Sequence, residues 1–391
     1  MKGKLALLAV ALLVGVSASH AQFQLLSTFR STNVNAAEIN AYDSGNSLVY
    51  STYATGVQTL NFGNTPGTLG QLSFNQNISF SSLFGGAISS VSSVAADPLN
   101  RGFGVATVIP TDNAGTLGKL AIFNPTSGML LTSLDLGYHP DMVTFTPDGT
   151  KLLIANEGEP NLAGVNQAGS ISVVDLTGVI DATTAGALNN SSVTTLDLSG
   201  VDLSQALVTQ PNFSSNRHLD IEPEYITVKD NFAYVTLQEA NAVGVFNLTT
   251  TNWAGIQPLG FIQQTIDATD RETVNGSASP GIRINDLLTT APVPDGIASY
   301  TVNGQTYYVT ANEGDYRPAL DGGVYTNEAR ISTLISRVDG AYSNALSIAY
   351  GGANPFSNTN LGRLNVLTDI GTNSAGQFTN FIASGLKGVT C

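Results

Sequence analysis

The chain has 391 residues, 42% of them hydrophobic and only 11% charged, against about 25% charged in ordinary soluble domains. With Lys+Arg at 15 and Asp+Glu at 29, the formal charge is −14, which excludes nucleic acid as a partner because phosphate binding needs a basic surface. The 40 glycines, with abundant Ser, Thr, Asn, Val and Tyr, exclude a helical bundle; the apolar content excludes disorder, and short strands joined by tight turns remain.

Residues 1–21 read as a signal peptide. Lys2 and Lys4 precede an apolar run at 5–16 that is too short to span a bilayer, and Ser19-His20-Ala21 fits a cleavage site. Its removal takes away those two lysines and brings the formal charge to −16. Residues 22–391 then form one exported domain with no transmembrane segment. The expected location is secreted, periplasmic or cell-surface, as a monomer. Cys391 is the only cysteine, so internal disulfides and a thiolate metal cluster are excluded.

Next along the chain come two weak copies of a repeat, at 38–62 and 91–123. Three stronger copies follow. The first has Pro140-Asp141, a strand at 142–145, the turn Pro147-Asp148-Gly149, a strand at 151–155 and then Asn156-Glu157. The second has Pro223-Glu224, strands at 225–228 and 232–237 around Asp230-Asn231, and then Gln238-Glu239. The third has Pro294-Asp295, strands at 297–300 and 306–311 around Asn303-Gly304, and then Asn312-Glu313. The turns are hairpin signals, and the nearly continuous apolar strands suit sheets covered on both faces.

Repeated units of several short strands predict an all-β fold, a β-propeller with WD40-like blades. Asp141 to Glu224 is 83 residues and Glu224 to Asp295 is 71, whereas simple blades need about 40–45. Segments 177–218 and 262–293 are therefore expected to be insertions.

These motifs, with Leu219-Asp220-Ile221-Glu222, Asn327-Glu328-Ala329-Arg330 and Leu361-Gly362-Arg363-Leu364, resemble the choice-of-anchor I family of secreted or surface β-propellers over roughly residues 25–372. The resemblance implies a seven-bladed propeller related to YVTN-type surface-layer repeats. Relatives include proteins labelled alkaline phosphatase and mesenchyme-specific surface glycoproteins. It brings no catalytic set. After Leu364 the sequence departs from the family pattern, so the last blade or blades are expected to be shortened or missing.

In a propeller, the loop into the innermost strand and the loop after the second strand share one face. That places Asp141, Glu157, Glu159, Glu222, Glu224, Glu239, Asp295, Glu313 and Asp315 at one mouth of the channel. Crowded carboxylates repel unless they are protonated, paired or bound to a cation, and calcium suits such oxygen ligands. The plainer reading is that each acid caps backbone amides or pairs with Arg217, Arg317 or Arg330. His139 and His218 precede acidic motifs and read either as a base or metal ligand or as ordinary loop histidines. Asp267-Ala268-Thr269-Asp270 with Asn285-Asp286 reads as a second calcium loop or as Asx turns. Trp253 reads as core.

Three functions fit. The first is a ligand-binding propeller, calcium-assisted, whose partner is an extracellular protein, a glycan or a small ligand. The second is a metal-dependent phosphoesterase with Arg217 or Arg317 holding phosphate. The third is a calcium-binding matrix protein.

Overall fold

Runs of Val, Ile, Leu, Thr and Tyr separated by Asn/Asp/Gly turns become antiparallel sheets in a computed structural model. It describes residues 27–33, 35–36, 38–160, 165–206, 217–269, 284, 286–314, 316, 326–385 and 388–390. Residues 1–21, where a signal peptide is expected, and Asp270, Asn285, Asp315 and Arg317 lie outside the described residues.

Four sheets repeat one pattern, each with its strands in simple chain order. The first is β1 (Asn40–Asp43), β2 (Leu48–Tyr53), β3 (Gly56–Phe62) and β4 (Leu72–Ser79). The second is β5 (Ile88–Ala96), β6 (Gly104–Pro110), β7 (Lys119–Asn124) and β8 (Met129–Asp135). The third is β9 (Pro140–Phe145), β10 (Lys151–Asn156), β11 (Ser170–Asp175) and β12 (Val193–Asp197). The fourth is β13 (Pro223–Lys229), β14 (Phe232–Leu237), β15 (Ala242–Asn247) and β16 (Asn252–Pro258). First strands stand beside one another, β1 by β5, β5 by β9 and β9 by β13. This is the arrangement of propeller blades around an axis.

The core lies between successive sheets. On β10, Leu152 and Ile154 pack toward the second sheet, while Leu153 and Ala155 pack toward the fourth. Alternate side chains of one strand thus enter two different interfaces, which is why these strands lack polar alternation. Each fully buried Leu or Ile contributes about 1.5–3 kcal/mol. Trp253 is half-buried against the fourth sheet's core, edge-on to Phe246 at 5.3 Å.

The rest of the chain is less regular. It supplies β17 (Ile262–Ile266), β18 (Asp286–Ala291), β19 (Pro294–Val302), β20 (Gln305–Asn312), β21 (Glu328–Arg330), β22 (Asn365–Leu367), β23 (Ile382–Ser384) and β24 (Gly388–Thr390). They pair as β17-β18-β23, β19-β20-β24 and β21-β22. β19 packs directly beside β13 and continues the line of first strands. The all-β propeller is therefore as expected, and among the described residues its last three sheets have three, three and two strands.

Two expectations need correction. Segment 177–218 is not wholly an insertion: after the short helix α1 (Ala182–Gly186) it supplies β12, the outer strand of the third sheet. Segment 262–293 is also more than an insertion, because it supplies β17 and β18 of a separate sheet, in which β23 lies parallel to β18. The sequence reading also had no counterpart for helix α2 (Gly340–Ala349).

Candidate metal centre at the acidic mouth

The three strong repeats place their acids by one device. At the edge of each sheet, Asn156 pairs with Pro140, Leu237 with Pro223 and Asn312 with Pro294, and each register slips just after the proline. The first strand gains one residue there, so Asp141 is skipped by the ladder, and Glu224 and Asp295 occupy the matching bulges. Such bulges re-aim side chains at strand ends. The residue before each proline is tied to the far loop: Glu157 N donates to His139 O (2.8 Å), Gln238 N to Glu222 O (3.3 Å) and Glu313 N to Val293 O (3.3 Å). Glu157, Gln238 and Glu313 are therefore structural equivalents, and Glu239 lies one position beyond the place its sequence pattern suggested. His139 and Val293 both adopt left-handed backbone, at φ 48° and 49°, a conformation costly for a side-chain-bearing residue.

The asparagine in Asn156-Glu157 is structural. Its amide donates to Ser172 Oγ (2.9 Å) and Ser170 Oγ (3.1 Å), and Gly137 N donates to its Oδ1 (3.2 Å). Neighbouring sheets fix the bulges through hydroxyls: Ser92 Oγ donates to Pro140 O (2.6 Å) and Thr236 Oγ1 to Asp295 O (2.5 Å). Glycine allows the close approach behind Glu157. A Cβ on Gly169 would lie 2.1 Å from Ile221 O and 2.7 Å from Glu157 O.

His139 Nδ1 lies 3.1 Å from Glu159 Oε2 and 3.2 Å from Glu157 Oε2. Neither contact has hydrogen-bond alignment, so the attraction is between charges. Burial opposes the imidazolium, but Glu157, Glu159 and Asp141 outweigh it and lift the His139 pKa to about 9. Burial, with Asp295 and Glu38 against His139, raises Asp141 to about 6. Burial drives Glu157, Glu224 and Glu239 well above the usual carboxylate range, and their mutual repulsion adds to it. Asp295 is raised by burial and then by Glu313.

Two groups bring ligand atoms within 4.8 Å of one another: His139 with Glu157 and Glu159, and Asp141 with Glu157 and Glu224. Oxygens on opposite sides of a calcium ion sit about 5 Å apart, given Ca–O distances of about 2.3–2.6 Å. The three-carboxylate group fits a hard divalent cation, and Glu157 belongs to both groups. These are acidic clusters that could hold a metal.

Glu222 and Glu239 stand close enough to add their charge to the same mouth. Asp295 and Glu313 face each other at its side, where Gln238 Nε2 donates to Glu313 Oε2 (3.3 Å). His218 lies in the short turn Arg217–Asp220 and joins neither group. In the second proposed loop, Thr269 N donates to Asp267 Oδ1 (3.4 Å), an Asx-turn contact. Asp286 instead accepts from Ala268 N (3.4 Å) and the Tyr350 hydroxyl. Sequence reasoning missed Glu38, whose charge reaches Asp141 and Tyr225. Its only signal was its place ahead of the first strand of one of the two weak copies. It also missed Gln238, read as the counterpart of Asn156.

The class defined by these features is a β-propeller with a carboxylate-lined mouth. The chain belongs to the choice-of-anchor I family, whose domain it matches over residues 38–390. No curated protein matches it. Among solved structures it is similar to the Dos1 propeller, at 12% identity over 71% of this chain and 54% of that one, TM-score 0.40. It is also similar to apo AztD from Citrobacter koseri, at 14% identity over 56% and 46%, TM-score 0.33. The chain thus spans about half the length of each.

Proposed function

We propose that this chain is an exported, surface-associated binding propeller that holds a divalent cation, calcium by preference, at Asp141, Glu157 and Glu224. The cation supplies positive charge that draws an oxygen-rich partner, whether extracellular protein, glycan or small ligand, to the mouth. The observation that carries the reading is the convergence of those three carboxylates from β9, β13 and the loop after β10, with their ligand atoms within 4.8 Å. His139 balances only part of that charge, because it is shared with Glu159. Calcium takes 6–8 oxygen ligands in loose geometry, so three carboxylates leave positions for a partner. The signal-peptide pattern at 1–21 supports export, and among the described residues no helix is long and apolar enough to cross a membrane.

The test is thermal melting of the chain purified without its first 21 residues, in chelator and then in Ca²⁺, Mg²⁺, Mn²⁺ or Zn²⁺. Binding to the native state alone, at a hundred times Kd, stabilises by about 2.7 kcal/mol. A rise in Tm with Ca²⁺ that is lost in Glu157→Gln supports the reading. Unchanged melting with all four ions sinks it.

A further inference from the structure

Helix α2 lies over the β17-β18-β23 sheet with no residue fully buried. Asp339 caps it, accepting from Ala341 N (2.9 Å) and Tyr342 N (3.2 Å). Tyr342, Leu346 and Tyr350 recur every four residues, so they share one helix face, and that face meets the Phe378/Phe381 cluster. A cavity of about 570 Å³ remains between this stripe, β18 and the loop at 353–361. Small-molecule sites usually enclose about 300–1,000 Å³.

The lining has a definite chemistry. Gln263, Asn360 and Asn380 supply side-chain amides, and Tyr342 and Tyr350 supply ring walls. Asp286 is buried at 6% exposure and accepts from the Tyr350 hydroxyl. Phe381 N donates to the Tyr342 hydroxyl (3.0 Å), so both rings are held in place. Asn360 Nδ2 donates to Asn354 O (2.7 Å) and Asn380 Nδ2 to Thr289 Oγ1 (3.0 Å), which fixes which way each amide faces. Among the described residues, no Lys, Arg or His lines the cavity.

We propose that this cavity binds a neutral sugar residue. Carboxamides both donate and accept, as vicinal hydroxyls do. Fixed aromatic rings offer apolar faces against which the C–H face of a pyranose can lie. With one carboxylate and no cation among the described lining, a phosphate or uronate would meet repulsion with no counter-charge. The cavity shares no residue with the acidic mouth, so this binding does not depend on a cation there.

The experiment is isothermal titration of the chain lacking residues 1–21 with glucose, galactose and N-acetylglucosamine, with glucuronate as the anionic control. At least one neutral sugar is expected to bind, equally in Ca²⁺ and in chelator, with glucuronate about tenfold weaker or more. Gln263→Ala should weaken that sugar about tenfold with Tm unchanged, since among the described residues no hydrogen bond of the fold uses the Gln263 side chain. Tyr350→Phe, which keeps the ring and removes only the hydroxyl that Asp286 accepts from, should leave the sugar's affinity unchanged. No binding of any of the three sugars, equal binding of glucuronate, or unaltered affinity in Gln263→Ala would each overturn the proposal.

Discussion

Asp141–Glu157 and Asp295–Glu313 are the same motif in two settings. Both pairs sit at a bulged strand start facing the end of the second strand, and both follow a residue in left-handed backbone. At the first, His139, Glu159 and Glu224 crowd the pair, and Glu157 keeps only 17% of its side chain exposed. At the second, Val293 replaces the histidine, Glu313 is exposed, and its polar contact is the neutral amide of Gln238. The local motif therefore aims an acid at the mouth. Whether that acid becomes part of a cation site depends on what the next sheet brings beside it.

The largest expected difference between the two settings is steric. Gly169 lies between Glu157 O and Ile221 O, and a methyl there would meet backbone at 2.1 Å and Pro223 Cδ at 2.4 Å. Gly169→Ala should cost about 3 kcal/mol in denaturant unfolding, because backbone cannot yield as a flexible side chain can. A methyl on Gly296, beside Asp295, would meet only Ala311 Cβ at 3.7 Å. Gly296→Ala should stay within about 0.5 kcal/mol. Equal costs would break the comparison.

The next difference is in pH dependence. Acids whose folded pKa is raised hold more protons when native, so stability falls as pH rises from the unfolded to the folded value. For Asp141 that window runs from about 4 to about 6; for Glu157 and Glu224 it extends further upward. His139 works in the same direction: its contribution is whole below about 6.5 and lost as pH passes about 9. In chelator, Tm should therefore decline from pH 5 to pH 8. A cation replaces the protons, so the Ca²⁺-induced rise should be larger at pH 8 than at pH 5. The reverse order would contradict a carboxylate site.

Glu224→Gln separates the charge from the fold. Without cation it removes a buried, repelled carboxylate and should stabilise at pH 8 by about 1 kcal/mol. It should also weaken Ca²⁺ affinity about tenfold or more. A destabilised variant with unchanged calcium response would mean that Glu224 is structural.

Much of this was legible in the sequence, for identifiable reasons. The Pro-acid and Asn-Glu pairs recur with the hairpins, so the shared mouth followed from strand order alone. Register was harder. Glu239 was aligned with Glu157 because Gln238 resembles Asn156, yet the pairing of Leu237 with Pro223 makes Gln238 the equivalent. A one-residue bulge leaves no mark in composition. The last third was least legible, because β23 pairs with β18 and β24 with β20 across long separations that local patterns do not encode. The contact of Asp286 with Tyr350 could not be read locally for the same reason, since the two are 64 residues apart.

The smallest effect should come from Glu313→Gln. Its side chain is exposed, and the one hydrogen bond shown for it, from Gln238 at 3.3 Å, is long and can be kept by a neutral amide oxygen. Stability should change by less than about 0.5 kcal/mol. Removing its charge should lower the Asp295 pKa slightly, because Glu313 is the second cause, after burial, of that acid's upward shift. Calcium affinity should match wild type, since Glu313 belongs to neither metal-competent group. Titration of both proteins with Ca²⁺ checks this directly. A loss as large as that of Glu224→Gln would move the cation site toward β19, and the two copies of the motif would then be equivalent after all.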